Sequence, residues 1–149
     1  ETARLLAESL FEVGLTVNVV VLPEQEFYPL VLSGKVPALV SRLGCPTGDA
    51  GLLLDQAVHT RDDVRHLGLG NDSGYSRPEI DALIEASAGQ QDPEERRQTL
   101  QQIVSRMMED LPWLPLYVDD DVYAVHQDLA WQPRYDGYVQ AQEIQQVRR

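Results

Sequence analysis

The sequence is short of lysine, positive charge and cysteine. It has 12 basic against 24 acidic residues, a net charge of −12, and Lys35 is its one lysine. Because nucleic acids are bound through clustered Lys and Arg, this charge argues against a nucleic-acid partner and favours cationic or zwitterionic ligands. The single cysteine, Cys45, cannot form an internal disulfide, so cysteine content excludes neither the cytoplasm nor an exported location.

Long apolar runs and catalytic motifs are also missing. No run approaches the ~20 apolar residues that cross a bilayer, so we expect no membrane span. The sequence contains no G-x-S-x-G, no P-loop, no G-x-G-x-x-G after a strand and no H-E-x-x-H. His59, His66 and His126 are isolated in sequence, and a lone cysteine is more often a small buried hydrophobe than a nucleophile. We therefore expect a protein that is not an enzyme and needs no metal or cofactor.

Two consecutive helices are predicted between residues 71 and 112. In the first, Ser76 and Glu79 form the S-x-x-E pattern of a capping box, with the serine as cap and an end near residues 88–89. In the second, Asp92 can cap and Pro93 suits the first helical position. Pro112 ends it. Apolar residues fall on one face of this second helix: Leu100, Ile103, Val104, Met107, Met108 and Leu111.

The same periodicities predict further helices and strands. Gly14 is predicted to end the helix over residues 2–13. The three aspartates at residues 119–121 are predicted to form a turn. The alternation of helices and strands favours an α/β fold, a mixed sheet flanked by helices. The predicted helices are residues 2–13, 24–32 and 52–59, and the predicted strands are 15–22, 36–40, 114–118 and 122–126.

Two loops are candidates for a ligand site. Residues 41–51, with three glycines, a proline and Asp49, follow a predicted strand, and open α/β sheets bind ligands at the carboxyl ends of their strands. A plain connecting loop has about equal weight for this segment. Residues 60–76 form a connection whose length is typical of functional or mobile segments.

The order of motifs from Asn71 onward resembles one protein family. Asn71, Tyr75, Pro78 and Asp81 match a pattern similar to N-x-x-x-Y-x-x-P-x-x-D, and residues 114–117 look like the "iPLY" strand that follows. These features resemble the family 5 extracellular solute-binding proteins of oligopeptide, dipeptide and nickel ABC importers. The resemblance implies a periplasmic-binding-protein-like lobe at residues 1–126 and a segment, 127–149, that returns to the other lobe of a longer parent chain.

The resemblance also implies a ligand site. Oligopeptide binders carry a segment similar to G-W-x-x-D, whose aspartate receives the α-amino group of the peptide. Here Leu43 and Gly44 stand where the tryptophan is expected, and the nearest aspartate is Asp49. Asn71 and Asp81 are expected mainly to pin the loop to the helix, since such side chains commonly bond local backbone. The implied ligand contacts are Leu43, Gly44, Cys45, Asp49, Asn71 and Tyr75.

The resemblance implies a binding and delivery function. The protein would capture peptides or similar small solutes between two lobes and deliver them to the permease subunits of the importer. It would be extracytoplasmic, as a periplasmic protein or a cell-surface lipoprotein, and would meet the membrane only through the transporter or a lipid anchor. Two alternatives stay open: a ligand-sensing domain of a transcriptional regulator, and a lobe used only as an interaction surface.

Overall fold

The computed structural model describes residues 1–147 and divides the chain into two compact units, Glu1–Arg42 and a second unit that begins at Leu43. The first unit contains helices α1, Thr2–Glu12, and α2, Glu24–Leu32. The second unit contains three helices, a short 3-10 helix and two short strands. These are α3, Ala50–Ala57; α4, Pro78–Gly89; α5, Pro93–Asp110; β1, Leu129–Ala130; the 3-10 helix Ala141–Glu143; and β2, Gln145–Gln146.

All five predicted helices are present in the structure. Gly14 and Gly34 adopt positive φ angles of 87° and 66° after α1 and α2, the left-handed conformation that glycine takes at helix ends. At the end of α5, Leu111 takes the left-handed conformation at φ 49°, and Pro112 prevents a further turn. The local end signals therefore place the helices to within one or two residues.

The start of α4 differs from the prediction. Its N-cap residue is Arg77, with no side-chain cap, and the Ser76 hydroxyl instead lies 3.0 Å from the hydroxyl of Thr60. The Ser76 hydroxyl accepts a hydrogen bond from Thr60 Oγ1 and does not cap the helix. The capping box predicted for Ser76 and Glu79 is therefore wrong, whereas Asp92 caps α5 by accepting a hydrogen bond from Glu95 N at 2.8 Å.

Alanine substitutions at Asp92 and Ser76 should therefore have unequal effects on stability. Asp92→Ala is expected to lower the free energy of unfolding by about 1 kcal/mol, since it leaves helix N–H groups without their acceptor. Ser76→Ala is expected to change it by less than about 0.5 kcal/mol, the usual range for exposed substitutions. Urea unfolding followed by circular dichroism measures both, and equal losses would contradict the assigned caps.

The four predicted strands are wrong. Residues 15–22, 36–40, 114–118 and 122–126 have no strand structure, and the described part of the chain contains one two-stranded antiparallel sheet. In it Leu129 pairs with Gln146 and Ala130 with Gln145. A β-branched sequence forms a strand only when a neighbouring strand accepts its hydrogen bonds. The architecture is a mixed one of helices and a small sheet.

The hydrophobic core lies where α3, α4 and α5 meet. On α5, Ile103 and Met107 are buried, while Val104 and Met108 of the predicted stripe are exposed at its margin. Half-buried side chains cover the core, among them Trp113 after the end of α5. The core residues are Leu54, Val58, Ile80, Ile84, Ile103 and Met107.

Over residues 1–147, none of the helices combines the length and the apolar character needed to cross a membrane.

Candidate functional site

Asp49 joins the start of α3 to α5. Its carboxylate caps α3 by accepting a hydrogen bond from Gly51 N at 2.7 Å. The same carboxylate accepts two hydrogen bonds from Arg96 on α5, from Nη1 at 2.8 Å and Nη2 at 3.0 Å. A bidentate guanidinium–carboxylate pair fixes both the distance and the orientation of the two side chains. The loop that precedes α3 is thus held against the first turns of α5.

An open cleft of about 420 Å³ lies beside this pair. Arg96 is further fixed by donating from Nε to Ser87 O at 3.1 Å, so its guanidinium forms a rigid part of the wall. The cleft is lined by backbone and side chains from the start of α3, the turn between α4 and α5, and the first turns of α5. The residues are Gly48, Asp49, Ala50, Gln90, Gln91, Pro93, Arg96, Arg97 and Leu100.

The Asp49 carboxylate remains charged and has room for a further donor. The hydrogen bonds from Arg96, then that from Gly51, lower the pKa of Asp49 below its ordinary value. A carboxylate offers about four lone-pair sites, and three are used by Gly51 and Arg96. One site on Oδ2 therefore remains, on a side chain that is 41% exposed.

The other predicted residues of this loop lie outside the cleft. Leu43 is about half exposed, and the α-carbon of Gly44 faces open space. The Cys45 thiol is exposed and donates a hydrogen bond to Asp49 O at 3.3 Å. Of the four loop residues predicted to contact ligand, only Asp49 lines the cleft.

Asn71 and Asp81 hold the long loop together. Asn71 is buried, and its Nδ2 donates to His59 O at 3.0 Å and Tyr75 O at 2.7 Å. Asp81 on α4 accepts from Thr60 N at 2.8 Å. Both side chains therefore fasten the loop of residues 60–76, one to its own turns and the other to α4.

Tyr75 lies at the opposite end of α5 from the cleft. Its hydroxyl donates to Asp110 Oδ2 at 2.7 Å, and Arg77 pairs with the same carboxylate at 2.7 and 2.9 Å. Burial, then the Asp110 carboxylate, raises the pKa of Tyr75 to about 12. Arg96 and Asp110 are fourteen positions apart on the helix, about 21 Å at the helical rise. The structure therefore does not bring Asn71 and Tyr75 together with Asp49.

A second open cleft, of about 590 Å³, lies beside the two-stranded sheet. Arg134 in its wall pairs with Asp136 and, at 2.7 Å, with Glu143. Trp131, also in the wall, contacts Tyr123 edge to face with ring centroids 5.0 Å apart. Asp136 and Glu143 neutralise its guanidinium, and none of the residues predicted to contact ligand lines this cleft.

Two important contacts had no signal in the sequence. Arg96 lies 47 positions from Asp49, and nothing in its neighbourhood distinguishes it from Arg97, which pairs locally with Glu94. His59 looked isolated, yet it is 2% exposed and lies 3.0 Å from Glu85. Among the residues that the structure describes, no group of three or more His, Cys, Asp and Glu side chains is placed to hold a metal ion.

Comparison with known proteins finds similarity to mycobacterial lipoproteins. The chain is 33% identical over 118 residues, 78% of its length, to an uncharacterised lipoprotein of Mycobacterium tuberculosis strain H37Rv. The same identity and coverage hold for uncharacterised lipoproteins of Mycobacterium bovis and of M. tuberculosis strain CDC 1551. The chain spans about a fifth of the length of these relatives, 20% in each case. These relatives confirm the expected extracytoplasmic location in bacteria.

No protein-family model and no solved structure matches the chain.

Proposed function

We propose that this chain is part of a family 5 type solute-binding protein, the substrate-binding component of an ABC importer. The parent protein captures a peptide or similar small solute between two lobes and delivers it to the permease subunits. The observation that carries the proposal is the charged, oriented and partly exposed Asp49 carboxylate in the wall of a cleft. The motif order from Asn71 to residues 114–117 supports it.

Asp49 is suited to an ammonium group. Arg96 and Gly51 fix the carboxylate before any ligand arrives, so little conformational freedom is lost on binding. Its remaining acceptor site on Oδ2 accepts one hydrogen bond, and charge-assisted bonds of this kind are stronger than neutral ones. The α-amino group of a peptide meets these requirements.

Exposed apolar side chains support a larger parent protein. Val20 and Val21 are 65% and 80% exposed, and Val118 and Val122 are 94% and 92% exposed. Contiguous exposed apolar segments mark surfaces that another element covers. In the proposed parent, these segments are covered by parts of the chain outside residues 1–149. The lengths of the relatives agree with this, since each is about five times as long as the matched region.

Of the alternatives, a transcriptional regulator is favoured by no contact among residues 1–147. The lipoprotein names of the relatives favour an exported protein over one that acts on DNA.

Asp49→Asn in the full-length protein is expected to weaken binding of a tripeptide with a free amino group roughly 10- to 100-fold, the value of one charge-assisted hydrogen bond. Binding of the N-acetylated tripeptide should be almost unchanged, because it has no ammonium group. Isothermal titration calorimetry measures both affinities. Asparagine is also a good N-cap, so α3 keeps its start and the variant should fold.

Asp62→Asn is the matched control, since Asp62 is also a carboxylate paired with an arginine, Arg65, and neither residue lines the cleft. It should leave both affinities unchanged. Equal weakening of both peptides by Asp49→Asn, or no weakening of either, would remove Asp49 from the site.

A further inference from the structure

His59 occupies a buried junction between three segments. It follows Val58, the C-cap of α3, and its backbone N–H donates to Leu54 O at 3.0 Å. Its ring is 2% exposed and contacts α4 on one side and the first residue of the loop 60–76 on the other. A buried imidazole with polar neighbours on both sides must have a defined protonation state.

Both ring nitrogens of His59 face hydrogen-bond acceptors. Nδ1 lies 2.6 Å from Thr60 O, and a carbonyl oxygen carries no proton, so Nδ1 must donate. Nε2 lies 3.0 Å from Glu85 Oε1. The hydrogen bonds from Arg65, then that from His59, lower the pKa of Glu85 to about 2, so its carboxylate is ionised and only accepts. Nε2 must therefore donate as well.

We infer that His59 is a buried imidazolium that clamps the loop of residues 60–76 to α4, and that raising the pH releases this clamp. A neutral imidazole donates from one nitrogen only, so its other nitrogen would present a lone pair to Thr60 O or to Glu85. The lost hydrogen bond and the repulsion between acceptors would loosen the loop where it leaves α3. The inference is independent of the proposed transport function.

The charged groups packed around the ring favour the cation. On α4, Glu85 lies in hydrogen-bond contact and Asp81 Oδ1 lies 3.8 Å from Nδ1. On α3, Asp55 interacts electrostatically with His59, and burial raises the pKa of Asp55. Arg65 of the loop is a cation and therefore opposes protonation of His59. Its Nη2 lies 2.9 Å from Glu85 Oε1, and its Nε lies 2.8 Å from Asp62 Oδ2.

These contacts determine the direction of the pH dependence. Burial of the ring opposes protonation, but the Thr60 carbonyl, then Glu85 and Asp81, outweigh it and raise the pKa of His59 above its ordinary value of 6.5. A pKa raised by folding gives stability that is complete below the unfolded value. That stability is lost as the pH rises from 6.5 through the folded pKa.

Groups of the loop also donate hydrogen bonds to His59 and to the end of α3. Asn71 Nδ2 donates to His59 O, and Gly68 N and Gly70 N donate to Asp55 O and Gln56 O of α3 at 3.0 and 2.9 Å. Release of His59 should therefore be detected at the amides of Gly68 and Gly70, which lie far along the loop from the ring itself.

Nitrogen-15 NMR of the His59 ring in the unmodified chain tests the protonation state directly. Both nitrogens should show the shifts of protonated imidazolium at pH 6, with a titration midpoint above 6.5. The protection of the Gly68 and Gly70 amides against hydrogen exchange is measured after correction for intrinsic rates. It should fall by up to about tenfold per pH unit between pH 6.5 and that midpoint. A midpoint at or below 6.5, or one unprotonated ring nitrogen at pH 6, would overturn the inference.

Two carboxylate variants separate the clamp from general charge effects. Glu85→Gln should move the His59 midpoint to lower pH, because the acceptor at Nε2 loses its charge. Asp62→Asn is the matched control, since Asp62 pairs with Arg65 in the same network but does not contact the ring; it should move the midpoint much less. Equal shifts in the two variants would refute a specific Glu85–His59 contact.

Discussion

Replacing Ile103 with alanine is expected to lower the free energy of unfolding of the unit that begins at Leu43 by about 3 kcal/mol, within the range for large-to-small core substitutions. Ile103 is 0% exposed and lies at the centre of the core formed by α3, α4 and α5. Its truncation removes apolar contacts within this core cluster and leaves a cavity. Urea unfolding monitored by circular dichroism measures the loss.

The neighbouring residue provides the control for this prediction. Val104 is on the same helix and belongs to the same apolar pattern, but it is 38% exposed. Val104→Ala is expected to cost less than about 1 kcal/mol, because much less apolar surface leaves water at this position. If the two substitutions cost the same, the position of the core on α5 would be wrong.

Replacing Gly68 with alanine is expected to destabilise the loop of residues 60–76 by several kcal/mol. A Cβ at this position would lie 2.2 Å from His59 O and 2.8 Å from Thr60 O. Both are backbone atoms that cannot rotate aside, so the loop must move away from α3. The left-handed backbone of Gly68, φ 60°, adds a cost of about 1 kcal/mol for alanine. Thermal unfolding and hydrogen exchange of the loop amides measure the effect.

Gly74→Ala separates the steric cost from the backbone cost. Gly74 also has a left-handed backbone, φ 69°, but a Cβ there would meet nothing within 4 Å. Gly74→Ala should therefore lower the free energy of unfolding only by the backbone conformational cost, about 1 kcal/mol. A Gly68→Ala effect no larger than that of Gly74→Ala would show that the loop does not pack against His59 and Thr60 as described.

The helices could be predicted because their signals are local. Asp92 and Pro93 identify the start of α5 within a few residues of sequence, and Gly14 and Pro112 identify ends in the same way. Ser76 failed as a cap although it has the right spacing to Glu79. Thr60, sixteen positions earlier, holds the Ser76 hydroxyl, and no local pattern reveals a contact of that separation.

The strands could not be predicted because their stability depends on partners. Residues 15–22 have the β-branched composition of a strand and residues 114–118 are mostly apolar, but a ladder needs a second strand in register. The pair that does form, Leu129 and Ala130 with Gln146 and Gln145, has no apolar alternation to signal it. A turn closed by Gly137 N and Arg134 O and the 3-10 helix Ala141–Glu143 lie between the two strands.

The candidate site was predicted in part. The loop of residues 41–51 was identified from its glycines, its proline and its carboxylate, and Asp49 does line a cleft. Its partner Arg96 and the other cleft residues on α5 come from a region whose sequence was informative only about helix formation. The family resemblance groups Tyr75 and Asn71 with Asp49, but a motif in the sequence does not show which end of α5 a residue reaches.

We propose that the protein binds a solute through the cleft at Asp49. The most direct measurement is calorimetric titration of the full-length protein with a panel of unmodified tripeptides, their N-acetylated forms and nickel ion. The proposal predicts saturable binding of at least one unmodified tripeptide, weaker binding of its acetylated form, and loss of this difference in Asp49→Asn. Absence of binding by every peptide in the panel, or equal affinity for the unmodified and acetylated forms, would contradict it.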